Sequence, residues 1–211
     1  MPVFSKGDKA VLFVHVPKAG GSALENLFTA NGWEMTFRDG KTGKHSQNWL
    51  RYCSPQHLHA EPLRATFRLE RFDAIFMTVR EPLARFRSEY AMRSGRLGLE
   101  PDAASVDAWA DRALRKYAAD HYVLDNHLRP QSEFLLPGSH VYRLEDGLDA
   151  VPRNLNALHD LGLPEEVPRV RESGGRGLST REVQLSEELT ARLRALYAQD
   201  ASAFGYAGPE G

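Results

Sequence analysis

The sequence predicts an α/β protein with a central, mostly parallel sheet flanked by helices in three layers. Three observations carry that expectation. A short run rich in β-branched and aromatic residues, Val11 to Val16, leads through a glycine turn into an amphipathic segment. A second apolar run, Ala74 to Val79, leads within three residues to a proline suited to the first turn of a helix. The chain has 211 residues, 42% hydrophobic and 26% charged, which suits one ordinary domain covering residues 1–211.

In chain order, Val11–Val16 reads as a buried strand closed by Pro17. Ser22 to Ala30 reads as a helix with Ala23, Leu24, Leu27 and Phe28 on one face and Ser22 as its N-cap. Residues 33–62 are polar, carry Gly40, Gly43 and Pro55, and read as an irregular excursion with at most short elements. Ala74–Val79 is the second buried strand, and the helix opened by Pro82 runs to about Arg93, with Gly95 and Gly98 ending it. Residues 107–119 are helical in pattern. His140–Leu144 is a third strand, and 148–161 a helix closed by Gly162 and Pro164. Residues 169–181 form a Gly- and Arg-rich loop. The last helix covers about 180–204, with Leu189, Leu193, Leu196 and Tyr197 on one face and a capping box at Ser179–Glu182.

Composition removes several function classes. There are 27 Lys and Arg against 28 Asp and Glu, a formal net charge of −1, which disfavours a globally basic nucleic-acid binder. No apolar run approaches the roughly 18 residues a bilayer span needs. The first residues carry no apolar signal core, and the single cysteine, Cys53, can form neither an internal disulfide nor a thiolate metal cage. The expected location is a reducing cytoplasm. Only six of the basic residues are Lys. The rest are Arg, whose planar fork suits phosphate, although base composition of the genome explains such a count equally well.

Two segments carry chemistry. Pro17-Lys18-Ala19-Gly20-Gly21-Ser22 joins the first strand to the first helix. Glycines let the backbone turn sharply and approach a ligand. The amides of Gly20, Gly21 and Ser22 then face outward at the positive end of a helix dipole, where anions bind. Lys18 adds a mobile charge. The order differs from a Walker A loop, where Lys follows the glycines. Taken alone, a plain βα turn with a surface lysine explains the segment as well. The second segment starts at Arg80, directly after the second strand, and continues Glu81-Pro82…Arg85…Ser88-Glu89-Tyr90. In open α/β sheets ligands sit beyond the carboxyl ends of the strands. Arg80 is placed there to fork onto a phosphate. Arg87 and Arg93 read as a solvated helix face with i,i+4 pairs such as Arg85–Glu89.

Together these segments resemble the two nucleotide-binding signatures of sulfotransferases that use 3′-phosphoadenosine 5′-phosphosulfate (PAPS). The Pro-Lys-x-Gly-Gly form looks most like the carbohydrate branch, the enzymes of heparan and chondroitin. The resemblance implies a P-loop-like fold. It implies that Lys18, Ala19, Gly20, Gly21 and Ser22 hold the 5′-phosphosulfate and that Arg80 and Ser88 hold the 3′-phosphate. Weaker likenesses lie at Val141–Asp146, at His127-Leu128-Arg129-Pro130-Gln131, and at Tyr197…Asp200…Phe204-Gly205-Tyr206. Ala19 and Ser22 stand where the family often has Thr, and the serine keeps the hydroxyl. Arg171 and Arg176 read either as a lid over the 3′-phosphate or as a surface loop.

Sulfuryl transfer requires charge stabilisation on the leaving oxygen, which fits Lys18, and a base for the acceptor hydroxyl. The segment Gln56-His57-Leu58-His59 looks like the family's catalytic histidine stretch, with His57 the first candidate and His59 the second. His15 and His45 read as structural or surface, and His127 as a residue that could face the acceptor. The co-substrate is PAPS, no metal is expected, and the acceptor is a hydroxyl on a sugar or glycolipid. Two other readings stay open. One is a P-loop-like nucleotide kinase or phosphotransferase, against which stand the lysine order and Arg80 where an acidic strand end would be. The other is a non-catalytic nucleotide-binding relative.

Overall fold

The computed structural model of the chain describes residues 1–41, 43–168 and 178–206. The elements run β1 (Val3–Lys6), β2 (Lys9–Val14), α1 (Gly21–Ala30), β3 (Glu34–Thr36), α2 (Ala60–Thr66), β4 (Ala74–Val79), α3 (Pro82–Leu97), α4 (Ala103–Ala119), β5 (His140–Arg143), α5 (Ala150–His159), α6 (Glu187–Leu196) and α7 (Ala198–Phe204), with short 3-10 turns between them. These residues form two compact units. One contains 1–79 and 133–168, the other 80–132 and 178–206.

The first unit is built on a five-stranded sheet in the order β3-β1-β2-β4-β5. Its centre is parallel: β2 pairs with β4 and β4 with β5. β1 pairs antiparallel with both β2 and β3, so the sheet is mixed, with a parallel core. The carboxyl ends of β2, β4 and β5 therefore share one edge. Every residue of β4 is buried, as a strand covered on both faces requires. Phe4, Val11, Phe13, Ala74 and Phe76 pack with Leu24, Leu27 and Phe28 of α1 and with Val151 and Leu155 of α5 in one core cluster. Phe28 stacks between Phe4, at 4.2 Å, and Phe76, at 5.9 Å.

The second unit is helical. Phe86 and Tyr90 of α3, Val106, Trp109 and Ala113 of α4, and Leu189 and Leu193 of α6 form its core with Leu128 and Tyr197. Trp109 takes Phe86 and Tyr90 edge-on at 5.6 and 5.4 Å.

Several boundaries differ from the sequence reading, each for a local reason. The first strand occupies 9–14 and not 11–16, because its pairing with β4 ends at Val14 and Val16 N–H turns back to the Val14 carbonyl at 3.1 Å. β1, unforeseen, forms a hairpin with β2 across Gly7, whose φ of 61° suits the tight turn. α3 continues through Gly95 and stops at left-handed Gly98, since packing on one face outweighs the modest cost of a helical glycine. α4 starts four residues early because Asp102 caps it through the Ser105 N–H. The last helix is two. Glu182 does accept the Ser179 N–H at 2.7 Å, but that exchange closes a turn, and α6 begins only where Ser186 caps Leu189. Arg171 and Arg176 lie outside the described residues.

Candidate functional site

Between β2 and α1 the backbone is tightly constrained. Lys18 and Gly20 are both left-handed, at φ 67° and 87°. For Lys this costs roughly 1–2 kcal/mol, whereas glycine adopts it freely. A Cβ at Gly20 would lie 2.9 Å from Leu144 Cδ1. Pro17 and Ala19 are buried, and Lys18 is half-buried. The structure corrects the cap: Gly20 is the N-cap of α1, and Ser22 stands exposed inside the first turn.

The start of α1 lacks a side-chain cap that three other helices have, a lack it shares with α2, α5 and α7. The carboxylate of Glu81 accepts the Leu83 and Ala84 N–H groups of α3, Asp102 caps α4 and Ser186 caps α6. α1 begins with no side-chain cap and no acidic residue in its first turn. Its amide donors and positive dipole end carry the chemistry of an anion seat, and the turn follows a strand at the carboxyl edge of the parallel core.

Behind the turn lies a group that the sequence reading left as structural. His15 is buried, its Nδ1 2.8 Å from Glu25 Oε1. Glu25 Oε2 takes Arg38 Nε at 3.0 Å. Burial alone would raise the Glu25 carboxyl, but the bond and charge of His15, with Arg38 and His57, hold it below its ordinary value. The other edge of the His15 ring fills the space of an absent side chain: a Cβ at Gly21 would lie 2.2 Å from Nε2. The ring stacks on Phe13 at 5.1 Å and meets the His57 ring edge-on at 5.2 Å.

His57 closes a 3-10 turn, Pro55–His57, and is half-buried, with Nδ1 3.3 Å from Ser54 Oγ. His59 is buried at the N-cap of α2, its Nε2 3.7 Å from Glu61 Oε2. Of the two base candidates, His57 is the one in ring contact with the residue lying against Gly21.

The second unit holds Arg80 and Ser88. Arg80 is seated by its backbone: its N–H donates to Gln131 Oε1 at 2.9 Å, and Gln131 Nε2 donates to its carbonyl at 2.7 Å. Gln131 is held in turn by Asp200 of α7, fully buried, whose two oxygens accept the Gln131 and Ser132 N–H groups at 2.8 Å each. Tyr197 Oη donates to the Leu128 carbonyl at 2.9 Å. The weaker sequence likenesses around 127–131 and 197–204 are thus a scaffold under Arg80. Ser88 lies buried on α3.

Arg85 and Arg93 depart from the solvated-face reading. Arg85 is buried and donates through Nη2 to the His127 and Arg129 carbonyls at 2.8 and 2.9 Å. Glu89, also buried, receives Arg93 Nε at 2.7 Å and His127 Nδ1 at 2.5 Å. Burial would raise Glu89, yet His127 and Arg93 bring its carboxyl down to about 2.

A cavity of about 260 Å³ lies elsewhere, lined by Asp73, His140 and His159. It stands at the start of β4 and β5, the edge opposite the glycine turn.

The model of the sulfotransferase family matches residues 1–207. The chain belongs to the sulfotransferase family. No curated protein and no solved structure matches it. Sulfuryl transfer is the reaction of that family, and the α/β architecture with its glycine turn at the carboxyl edge of a parallel core is consistent with its P-loop-like fold. Among the described residues no helix is long and apolar enough to cross a membrane. The sequence reading of this sulfotransferase missed Glu25, and it named Glu89, Gln131 and Asp200 only within motifs or a helix pair, without their roles. Glu25 carried a signal: a carboxylate between Leu24 and Leu27 on an apolar helix face must be buried and partnered. Gln131 and Asp200 stood in weak likenesses that marked the segments, but their roles arise only where those distant segments meet.

Proposed function

We propose that this sulfotransferase takes its sulfuryl group from PAPS and passes it to a hydroxyl of a sugar or glycolipid, as in the carbohydrate branch. The observation that carries the reading is the uncapped start of α1 behind Gly20, with Lys18 on the same turn. In this reading Lys18 and the backbone of Ala19, Gly20, Gly21 and Ser22 hold the 5′-phosphosulfate. Arg80 and Ser88 hold the 3′-phosphate.

The acceptor oxygen attacks sulfur in line. An acceptor O–S bond forms, the bridge from sulfur to the phosphate oxygen breaks, and the acceptor proton goes to His57. Lys18 offsets the charge that grows on the leaving phosphate. Placement in a reducing compartment belongs to the same reading and rests on the lone Cys53.

Calorimetry tests the first step. The protein binds 3′-phosphoadenosine 5′-phosphate, and loss of the 3′-phosphate weakens binding by roughly ten- to hundredfold, the worth of a charged hydrogen bond or two. In Arg80→Ala the bisphosphate and the 5′-monophosphate bind alike. No binding of the bisphosphate, or stronger stabilisation by ATP with Mg²⁺, overturns the reading, the latter in favour of a phosphotransferase.

A further inference from the structure

We propose that Glu25 and His15 are positioning residues of the transfer site, a buried pair that fixes the His57 ring against the anion-binding turn. The inference rests on the reading of His57 as the base.

Glu25 carries its charge, because its carboxyl is bonded on both oxygens, to His15 Nδ1 at 2.8 Å and to Arg38 Nε at 3.0 Å. An ionised carboxylate only accepts hydrogen bonds, so His15 must carry a hydrogen on Nδ1. That fixes the orientation of the ring, as a carboxylate behind a histidine does in general. The ring so held makes three contacts. One face stacks on Phe13. Nε2 lies against Gly21, where a Cβ would be 2.2 Å away. The ring meets His57 edge-on at 5.2 Å. One imidazole thus touches both the first residue of α1 and the candidate base. His57 itself stands on a three-residue 3-10 turn, with Ser54 Oγ 3.3 Å from Nδ1. A short turn defines a side chain poorly, and the buried His15 ring supplies a contact that the turn lacks. Two features argue that the pair is more than core packing. A buried His–Glu pair is a costly way to fill a core that Leu or Phe would fill at least as well. The cost falls at a place where the backbone has given up a side chain to admit an imidazole.

The test is a double-mutant cycle with Glu25→Gln and His15→Phe, which keep the volume and remove the charge and the Nδ1–H. Donor breakdown with water as acceptor is measured beside transfer to chondroitin- and heparan-type oligosaccharides, and bisphosphate affinity by calorimetry. Each single variant lowers kcat by roughly ten- to hundredfold, as small misplacements of a catalytic group do. Nucleotide affinity stays within about threefold, and the double variant is no worse than either single one, the mark of residues acting as a unit. Long-range ¹H–¹⁵N spectra of the imidazoles supply a readout independent of turnover. The wild type shows His15 protonated at Nδ1, and Glu25→Gln moves the His57 signals. Unchanged kcat, additive losses, an affinity loss equal to the kcat loss, or unmoved His57 signals would each overturn the pair. If the wild type binds nucleotide yet breaks down no donor, the transfer reading fails instead, and the nitrogen spectra decide the pair. If His15→Phe does not fold, Glu25→Gln and its spectra carry the test.

Discussion

The two units each bury a glutamate on the helix that follows a parallel strand, and each glutamate takes one histidine and one arginine. In the first, Glu25 of α1 holds His15 Nδ1 at 2.8 Å and Arg38 Nε at 3.0 Å. In the second, Glu89 of α3 holds His127 Nδ1 at 2.5 Å and Arg93 Nε at 2.7 Å. The chemistry is the same and the backbone solution is not. The first cluster is admitted by a missing side chain, at Gly21. The second is delivered by three consecutive left-handed residues, Leu124, Asp125 and Asn126, at φ 55°, 62° and 63°, a conformation that costs roughly 1–2 kcal/mol for each ordinary residue. Arg85 on the His127 and Arg129 carbonyls, and Arg129 Nε on Asn126 Oδ1 at 3.0 Å, hold that turn. The arginines differ too: the Arg38 side chain is 46% exposed and that of Arg93 22%. The second cluster is closed within its unit's scaffold, and both glutamates are held below their ordinary value. The first leans on the turn read as the anion seat. One grouping thus serves the foundation of a fold in one place and the edge of a site in the other.

Three experiments break or sharpen that contrast. The largest effect is expected beside the first cluster. His57→Ala lowers transfer by roughly 10²- to 10⁴-fold, the usual worth of a general base, with nucleotide affinity unchanged by calorimetry. If His59→Ala does this instead, the base stands two residues further on and the tie to His15 is lost.

The second concerns the Glu89 cluster. Glu89 moves from an ordinary 4.5 to about 2 on folding, so the folded state favours its ionised form. That contribution to stability is complete above pH 4.5 and disappears as the pH falls through about 2. Denaturant midpoints measured from pH 6 to 2 show this acid loss in the wild type. Glu89→Gln flattens it and, by leaving His127 and Arg93 without their counter-charge, lowers stability at neutral pH by about 3–5 kcal/mol. A variant with the wild-type acid profile would place the acid sensitivity elsewhere.

The smallest effect is expected at the glycine. Gly21→Ala drives a methyl into His15 Nε2 and costs about 1–3 kcal/mol, as overpacking does. For a chain of this length that lowers Tm by roughly 2–4 °C per kcal/mol. In a His15→Ala background the same Gly21→Ala change costs little, because the ring it collides with is gone. An undisturbed melting curve in the single variant would show that the ring is free to leave.

Much of this was legible in the chain. The strand Ala74–Val79 and the helix opened by Pro82 were readable because an apolar run next to a proline leaves few alternatives. The glycine turn was readable from Lys18 to Ser22, and its separation from Arg80 by a helix and a strand pointed to the family. Other features were hidden for physical reasons. A hairpin such as β1–β2 depends on pairing that a four-residue polar strand does not announce. Only half of the capping box at Ser179 forms, with Glu182 accepting the Ser179 N–H while Ser179 Oγ takes the Arg181 N–H, and it closes a turn because no apolar face follows it directly. His15 looked structural since a histidine inside an apolar run usually is. Its role depends on Gly21, six residues away, and on a glutamate whose burial only the helix face revealed.

The clamp on Arg80 bears on how the protein is made. That residue leaves the ribosome early, just after β4, but its main chain is gripped by Gln131, and Gln131 by Asp200 in the last helix. A nascent or clipped chain lacking α7 would lack Asp200's hold on Gln131, the residue that pairs with the Arg80 main chain. If Arg80 holds the 3′-phosphate as proposed, α7, far in sequence from either motif, helps decide how firmly that grip is seated.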